Sequence, residues 1–322
     1  MKTDLYKKSY LFFFLCLTAL VACNSDDSID PSEQLRIDQG RIEEFLNSNG
    51  ITAQQAPAGF YYNPVLSDES GREIETDDIV SIYYTISILD GQTLHTVDTP
   101  DDPIQLSFGG FGAIPLALEA GLEVMREGEV FDFYMPSGLS YGTYSYKNLI
   151  PSLALTRLQV RVVRVDDEAS QRELETERIL TYIEDQGLEG EEAREKGLYY
   201  IQTEAGEGEL PNEGQNISVH YTGTFLNGEE FDSSFDQNQP LTFRLGADQV
   251  IDGWDLAFKD LREGEKGIIF IPSHLAYGSN IYITPPAIIQ DLVNQNSIPP
   301  QTPPGIPPFS TLVFEVEVVD IL

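Results

Sequence analysis

An α+β fold, repeated twice along the chain, is what the sequence predicts, and three features carry the prediction. The run Ile42-Glu-Glu-Phe-Leu-Asn-Ser-Asn-Gly-Ile, followed by Gly59-Phe-Tyr-Tyr, returns as Ile179-Leu-Thr-Tyr-Ile-Glu-Asp-Gln-Gly-Leu followed by Gly197-Leu-Tyr-Tyr. At one common separation, Arg126-Glu-Gly-Glu returns as Arg262-Glu-Gly-Glu and Tyr141-Gly142 returns as Tyr277-Gly278. A repeat that long, with helical and extended parts, is one supersecondary module used twice. Within the second copy, Ile217, Val219 and Tyr221 alternate with Ser218, His220 and Thr222, the period of a strand with one buried face. Further on, Ile251, Trp254, Phe258 and Leu261 fall on one stripe of a short helix.

Taken in order, the chain opens with Lys2, Lys7 and Lys8 ahead of the apolar run Tyr10 to Ala22. Residues 1–22 read as a secretory signal peptide, too short for a comfortable transmembrane span. The run ends in Leu20-Val21-Ala22-Cys23, which resembles the lipobox of bacterial lipoproteins. That resemblance implies cleavage before Cys23 and lipidation of its thiol; the alternative is an ordinary signal peptide with an incidental Cys. Asn24, rather than Asp, follows Cys23, which favours sorting to the outer membrane, periplasmic or surface-facing. Residues 23–33 read as a polar tether.

The first module is expected over 34–167 and the second over 168–322. Each opens with an amphipathic helix closed by Gly50 or Gly187, then a strand. Near Val165 the run Asp166-Asp-Glu-Ala-Ser opens the second helix. In the first copy, Ile114, Leu118, Leu122 and Met125 form the short helical stripe that Trp254 and its neighbours form in the second.

At 322 residues, with 41% hydrophobic residues and 17 Phe, the chain is long enough for about two packed domains. A net charge of −34 repels phosphate backbones and excludes a nucleic-acid-binding role; the acidity reads as a solvated surface. Three scattered His (His95, His220, His274) and the absence of a Cys cluster give no metal site, and no cofactor is expected. Cys16 leaves with the signal, so Cys23 has no disulfide partner.

A strand Tyr, a Phe-Asp pair, a helix Trp and a loop Tyr are together enough to line an aromatic pocket. The pieces are Val219-His-Tyr-Thr-Gly, Phe231-Asp232-Ser233-Ser234, Val250-Ile251-Asp252-Gly253-Trp254, the Gly264-Glu-Lys link and Ala276-Tyr277-Gly278. Far downstream come Gly305-Ile306-Pro-Pro and Thr311-Leu-Val-Phe314-Glu-Val-Glu. In this order the stretch resembles the FKBP-type peptidyl-prolyl cis-trans isomerases, the immunophilins that bind macrolides. The resemblance implies two FKBP-like domains, each a strongly twisted antiparallel sheet wrapped around a short helix and each preceded by an amphipathic helix. It also implies Trp254 as the floor beneath a prolyl ring, with Tyr221, Phe231, Val250, Ile251, Ile306 and Phe314 as walls. Tyr277 hydroxyl and the Ile251 N–H would hold substrate carbonyls, and Asp232 would face the bond that twists. Taken singly, such residues are ordinary core; the acid directly after Phe231 is what core packing does not explain.

The second copy departs from the family pattern at Gln237, where an Arg often pairs with the site Asp, and at Leu241, usually an aromatic wall. It also carries extra residues between Tyr277 and Ile306. This inserted segment, 279–305, holds Ile281, Ile283, Ile288, Ile289, Leu292 and Val293, too many apolar residues for a solvated loop. A lid over the pocket and a loop packed back on the first domain are both open. The first copy departs further: Leu94-His95 replaces Phe231-Asp232, Leu118 replaces Trp254 and Leu158 replaces Phe314, while Tyr84 and Tyr141 remain.

Read together, these features describe an exported, lipid-anchored prolyl isomerase of the bacterial envelope, active in the second domain. Its partners would be proline-containing polypeptide clients, the membrane through its anchor, and macrolides by family likeness. The alternative is a non-catalytic peptide-binding chaperone or envelope complex subunit.

Overall fold

The computed structural model describes residues 30–98, 103–109, 115, 117–278, 285–298 and 305–322. The signal segment 1–22, Cys23, Asn24, Ile114, Ile281 and Ile283 lie outside the described residues.

Helix α1 runs Pro31–Ser48. It starts ahead of the boundary expected at 34, so the tether is shorter than predicted. The cause is local: Asp30 caps the helix through Ser32 N–H at 2.8 Å, and Pro31 at the first helical position has no N–H to satisfy. The chain then forms β1 (Gln54–Gln55), β2 (Tyr61–Leu66), β3 (Ile79–Ile88), β4 (Thr93–Val97) and β5 (Ile104–Ser107). Helix α2 (Ala117–Leu122), β6 (Val130–Met135) and β7 (Thr156–Asp166) complete the first copy.

The second copy repeats this order. It consists of α3 (Glu168–Asp185), β8 (Glu191–Ala193), β9 (Tyr199–Glu204), β10 (Asn216–Phe225), β11 (Glu230–Ser233), β12 (Leu241–Arg244), α4 (Asp252–Phe258), β13 (Lys266–Ile271) and β14 (Leu312–Ile321). One extra helix, α5 (Pro286–Asn294), interrupts it before β14. Both long helices stop at a glycine in the left-handed region just past the cap, Gly50 (φ 65°) and Gly187 (φ 63°), as C′ rather than the cap residue itself.

The two sheets share one topology. Strand order is β1-β2-β6-β7-β3-β4 in the first and β8-β9-β13-β14-β10-β11 in the second, with β5 and β12 on the central strands β3 and β10. Every named pairing is antiparallel. On the inner face, α2 or α4 supplies the wedge: Leu118 and Leu122 in one, Trp254, Ala257 and Phe258 in the other. On the outer face lie the long helices, with Ile42 and Leu46 packed on Tyr61, Tyr134 and Leu155, and Ile179 and Ile183 on Ile201, Phe270 and Val313. β6 is therefore buried along its whole length, although strand periodicity sends alternate side chains to opposite faces.

Two repeated polar devices fix this frame. Each Arg-Glu-Gly-Glu link is a closed turn: the last carboxylate accepts the N–H of its own first Arg, Glu129 from Arg126 at 2.7 Å and Glu265 from Arg262 at 3.0 Å. Gly128 and Gly264 take the positive φ that the turn requires (87° and 76°). Each long helix also sends a buried carboxylate beneath the turn that follows β6 or β13. Asp38 accepts from Ser137 N–H (2.9 Å) and Oγ (2.5 Å), and Glu175 from Ser273 N–H (2.8 Å) and Oγ (2.6 Å). These turns lead directly to Tyr141 and Tyr277.

The described part of the inserted segment does not join the core cluster of its own copy. Ile288 and Leu292, on one face of α5, are buried within the first copy's apolar cluster, and Ile298 packs against the same cluster. Tyr144 donates its hydroxyl to Asp291 Oδ2 at 2.7 Å. Of the two readings left open for this segment, the described part takes the second, packing on the first domain. Burying Ile288 and Leu292 contributes about 1.5–3 kcal/mol each.

Candidate active site

The aromatic cluster of the second copy is assembled around Gly223 on β10. Register places Gly223 opposite Asp232 on one side and Phe314 on the other. A Cβ at this position would lie 2.7 Å from Phe231 Cζ and 2.9 Å from Phe314 Cε1, so only glycine lets these two rings approach. Phe231 and Phe314 meet edge-on with centroids 5.6 Å apart. Trp254, presented by α4, stands perpendicular to Tyr221 (5.1 Å, 87°) and to Phe314 (5.3 Å, 87°). Such edge-to-face contacts suit aromatic quadrupoles and hold every ring at a fixed angle. Behind the indole, Phe243 and Phe258 complete its support at 5.6 and 5.0 Å.

Tyr221, Trp254, Phe314 and Ile306 are buried, with half-buried Phe231, Val250 and Ile251 packed against their cluster. The structure thus brings together all six residues expected as walls and the expected floor. Ile251 caps the N-terminus of α4, its carbonyl accepting from Trp254 N–H at 2.9 Å. The indole Nε1 is buried without a hydrogen-bond partner among the described residues.

Asp232 is exposed at the edge of this lining, and the Tyr221 hydroxyl donates to its Oδ2 at 2.6 Å. The acid is therefore oriented by a pocket tyrosine, in a chain where Gln237 stands in place of the usual Arg. Burial and this bond together push the Tyr221 phenol well above its ordinary range, so it keeps its proton and remains the donor. The two serines after Asp232 anchor the segment: Tyr221 N–H donates to Ser234 Oγ at 2.9 Å, and Ser233 Oγ donates to the Tyr221 carbonyl at 3.3 Å.

Tyr277 follows the turn held by Glu175 and is exposed rather than packed into the cluster. Its phenol pKa is raised, first by desolvation and then by the negative charge of Asp232. The two groups share one field at the open side of the pocket. Leu241, at the start of β12, is likewise exposed.

In the first copy the same register places Ile86 between His95 and Leu158. Ile86, Leu118 and Leu158 are all fully buried, so aliphatic side chains stand in the first copy where the second has Gly223, Trp254 and Phe314. Tyr84 still bonds the residue that stands opposite Ile86, His95, at Nδ1 and 2.7 Å. Sequence reasoning noted the lost Trp and Asp but missed the change from Gly223 to Ile86. The available signal was a glycine inside an otherwise β-rich strand, which marks a close approach.

A family model described as "FKBP-type peptidyl-prolyl cis-trans isomerase" matches residues 70–163 and again 207–319. An FK506-binding protein of Neisseria meningitidis serogroup B is 40% identical over 109 residues, 34% of this chain and 82% of that protein. The human peptidyl-prolyl cis-trans isomerase FKBP2 is 42% identical over 109 residues, 34% of this chain and 63% of its own length. Among solved structures, FkpA from Escherichia coli is 34% identical, covering 48% of this chain and 63% of that one with a TM-score of 0.33.

Proposed function

This chain belongs to the FKBP-type peptidyl-prolyl cis-trans isomerase family, and from that premise we propose that its isomerisation of prolyl bonds takes place in the second copy alone. The X-Pro amide resists twisting because its planar form is stabilised by charge separation, which water supports. An aromatic cradle withdraws that support and favours the less polar, twisted transition state. Trp254 forms the floor under the prolyl ring, and Tyr221, Phe231, Val250, Ile251, Ile306 and Phe314 enclose it. Ile251 N–H and the Tyr277 hydroxyl hold the flanking carbonyls. Asp232, steadied by Tyr221, faces the twisting amide.

The observation that carries this reading is the exchange of Gly223, with its surrounding rings, for fully buried Ile86 in the first copy. Without space beside a flat floor, the first copy has nowhere to seat a proline. It serves as a non-catalytic partner.

The reading extends to location. Residues 1–22 direct export, Cys23 carries the lipid, and the protein is held at the bacterial envelope, sorted to the outer membrane. There it acts on proline-containing polypeptide clients, and the same cradle accepts macrolides. Acyl chains on Cys23 anchor the chain through their buried methylenes.

A protease-coupled isomerisation assay on the full chain tests the site. Trp254→Leu, which installs the first copy's residue, should bring activity close to background, and full activity in that variant would move catalysis elsewhere. Detergent partitioning and N-terminal mass spectrometry of the wild type and Cys23→Ala test the anchor. A Cys23→Ala protein still retained in membranes would overturn it.

A further inference from the structure

We propose that the first copy completes the second site: Gln105 of β5 is a positioning residue for Tyr277, acting through Gln171, Glu175 and Ser273. The inference rests on the reading that the second pocket is the active one and that Tyr277 holds a substrate carbonyl.

The path is a chain of buried hydrogen bonds. Gln105 Nε2 donates to Gln171 Oε1 on α3 at 3.0 Å, and Gln171 Nε2 donates to Glu175 Oε1 at 2.8 Å. Glu175 in turn accepts from the Ser273 hydroxyl at 2.6 Å and from its N–H at 2.8 Å. The four residues are 8%, 3%, 1% and 4% exposed, so bulk water is no ready substitute for these bonds. The Ser273 carbonyl then accepts from Ala276 N–H at 3.0 Å and from Gly278 N–H at 3.3 Å. Tyr277 lies between those two amides. A serine held at its N–H, Oγ and carbonyl therefore fixes the backbone that carries the phenol.

Gln105 sets the direction of this relay. A glutamine amide has a donor at one tip and an acceptor at the other, and either can face a neighbour. By donating to Gln171 Oε1, Gln105 turns that acceptor away from Glu175 and aims Nε2 at the carboxylate. Without Gln105, Gln171 Oε1 is left buried and unpaired, and a rotated amide would set it against Glu175.

The two copies differ at this point alone along the relay. In the first, Gln34 Nε2 donates to Asp38 Oδ1 at 2.8 Å and Asp38 accepts from Ser137. Gln34 is half-buried, and among the described residues it receives no bond equivalent to that from Gln105. Strand register matches Gln105, opposite Ser81, with Thr242, opposite Ser218. Thr242 is exposed, so burial at this position comes with the contact to α3 rather than with the strand. The second site thus draws on a residue of the first copy that has no counterpart in the reverse direction.

Kinetics of the full chain test the relay. Gln105→Met keeps a long side chain but cannot donate, and Gln105→Thr installs the residue that the second sheet carries at the matching place. Each should lower kcat/KM for a prolyl tetrapeptide about threefold, the lower end of coupling within one hydrogen-bonded network. Each should also speed amide hydrogen exchange at Ala276 and Gly278. In a Tyr277→Phe background the same substitutions should cause no further loss, because no hydroxyl remains to be positioned. Losses that add to that of Tyr277→Phe, or unchanged kinetics in both Gln105 variants, would overturn the proposal. Gln34→Met breaks the matching bond of the first copy and should leave kcat/KM unchanged. A loss there, with full activity in the Gln105 variants, would instead move catalysis to the first copy and sink the reading beneath the proposal.

Discussion

The two copies set a chemical contrast inside one topology. Their strand orders match strand for strand, their Arg-Glu-Gly-Glu turns close by the same carboxylate, and each sits on a long helix whose buried acid holds the turn before the loop tyrosine. The difference lies in a few inward positions. At the position between β4/β11 and β7/β14, one copy has Ile86 and the other Gly223; at the helix wedge, one has Leu118 and the other Trp254. Aliphatic residues fill volume from any angle, whereas the aromatic rings of the second copy meet at near-perpendicular angles around Gly223. The fold thus accepts either an aliphatic or an aromatic centre, and the proposed restriction of activity to the second copy rests on that difference.

The sharpest way to break the contrast is to close the second pocket with the first copy's residue. Gly223→Ile should reduce kcat/KM to near background, because its Cβ alone would meet Phe231 and Phe314 at under 3 Å. Far-UV circular dichroism should be recorded alongside, because the first sheet accommodates Ile86 beside His95 and Leu158 rather than between two aromatic rings. Retained activity would show that the proline does not sit between these rings.

Smaller effects are expected from the polar half of the site. Asp232→Ala removes the charge proposed to face the twisting amide and leaves Trp254 in place, so it should lower kcat by about tenfold, equivalent to ~1.4 kcal/mol, with KM little changed. Tyr221→Phe leaves the ring and removes only the hydroxyl that holds Asp232 Oδ2. Its loss in kcat should be smaller, about threefold, and should vanish in the Asp232→Ala background if the hydroxyl acts through the acid. Additive losses in that double-mutant cycle would mean that Tyr221 hydroxyl contacts substrate directly.

Much of this organisation was legible in the residues. The repeat announced two equal modules, the alternation of Ile217, Val219 and Tyr221 gave a strand with its inner face correctly assigned, and Trp254 with Phe258 gave the helical wedge. Ile251 and Leu261, read as part of that helix, instead flank it, because stripe periodicity continues past the hydrogen-bonded turns. What stayed hidden depends on partners far apart in sequence. The tyrosine that orients Asp232 reaches it diagonally from the neighbouring strand, two residues from Gly223, which stands opposite the acid, and no local pattern records that. The apolar residues of α5 signalled burial but carried no address, since a hydrophobic face is satisfied by any surface of suitable shape. Gly223 concealed its role for the opposite reason: the informative property was the side chain it lacks.

The smallest predicted difference concerns pH and belongs to the first copy. There His95 stands where the second copy has Asp232, and burial lowers its pKa below the ordinary 6.5. Tyr84, whose phenol is pushed up by its own burial, keeps its proton and shares a hydrogen bond with His95 Nδ1 at 2.7 Å. A histidine with a depressed folded-state pKa stabilises the fold above its unfolded value. As pH falls through 6.5 the unfolded chain takes up the proton first, and that stability is lost until the folded imidazole also protonates. Because the ring is only half-buried, water screens the effect, and the shift in melting temperature should be about one or two degrees. His274 in the second copy is depressed in the same direction, first by desolvation and then by Arg172, so the wild-type slope alone mixes the two. The informative quantity is a difference: melting temperatures at pH 7.5 and 5.5 for wild type and His95→Gln, which keeps a side-chain hydrogen-bonding group but cannot titrate. The variant should lose less stability on acidification than wild type does. Identical slopes in the two proteins would mean that His95 is solvated well enough to protonate in the fold as readily as in the unfolded chain, and that the position opposite Ile86 is more open than its packing indicates.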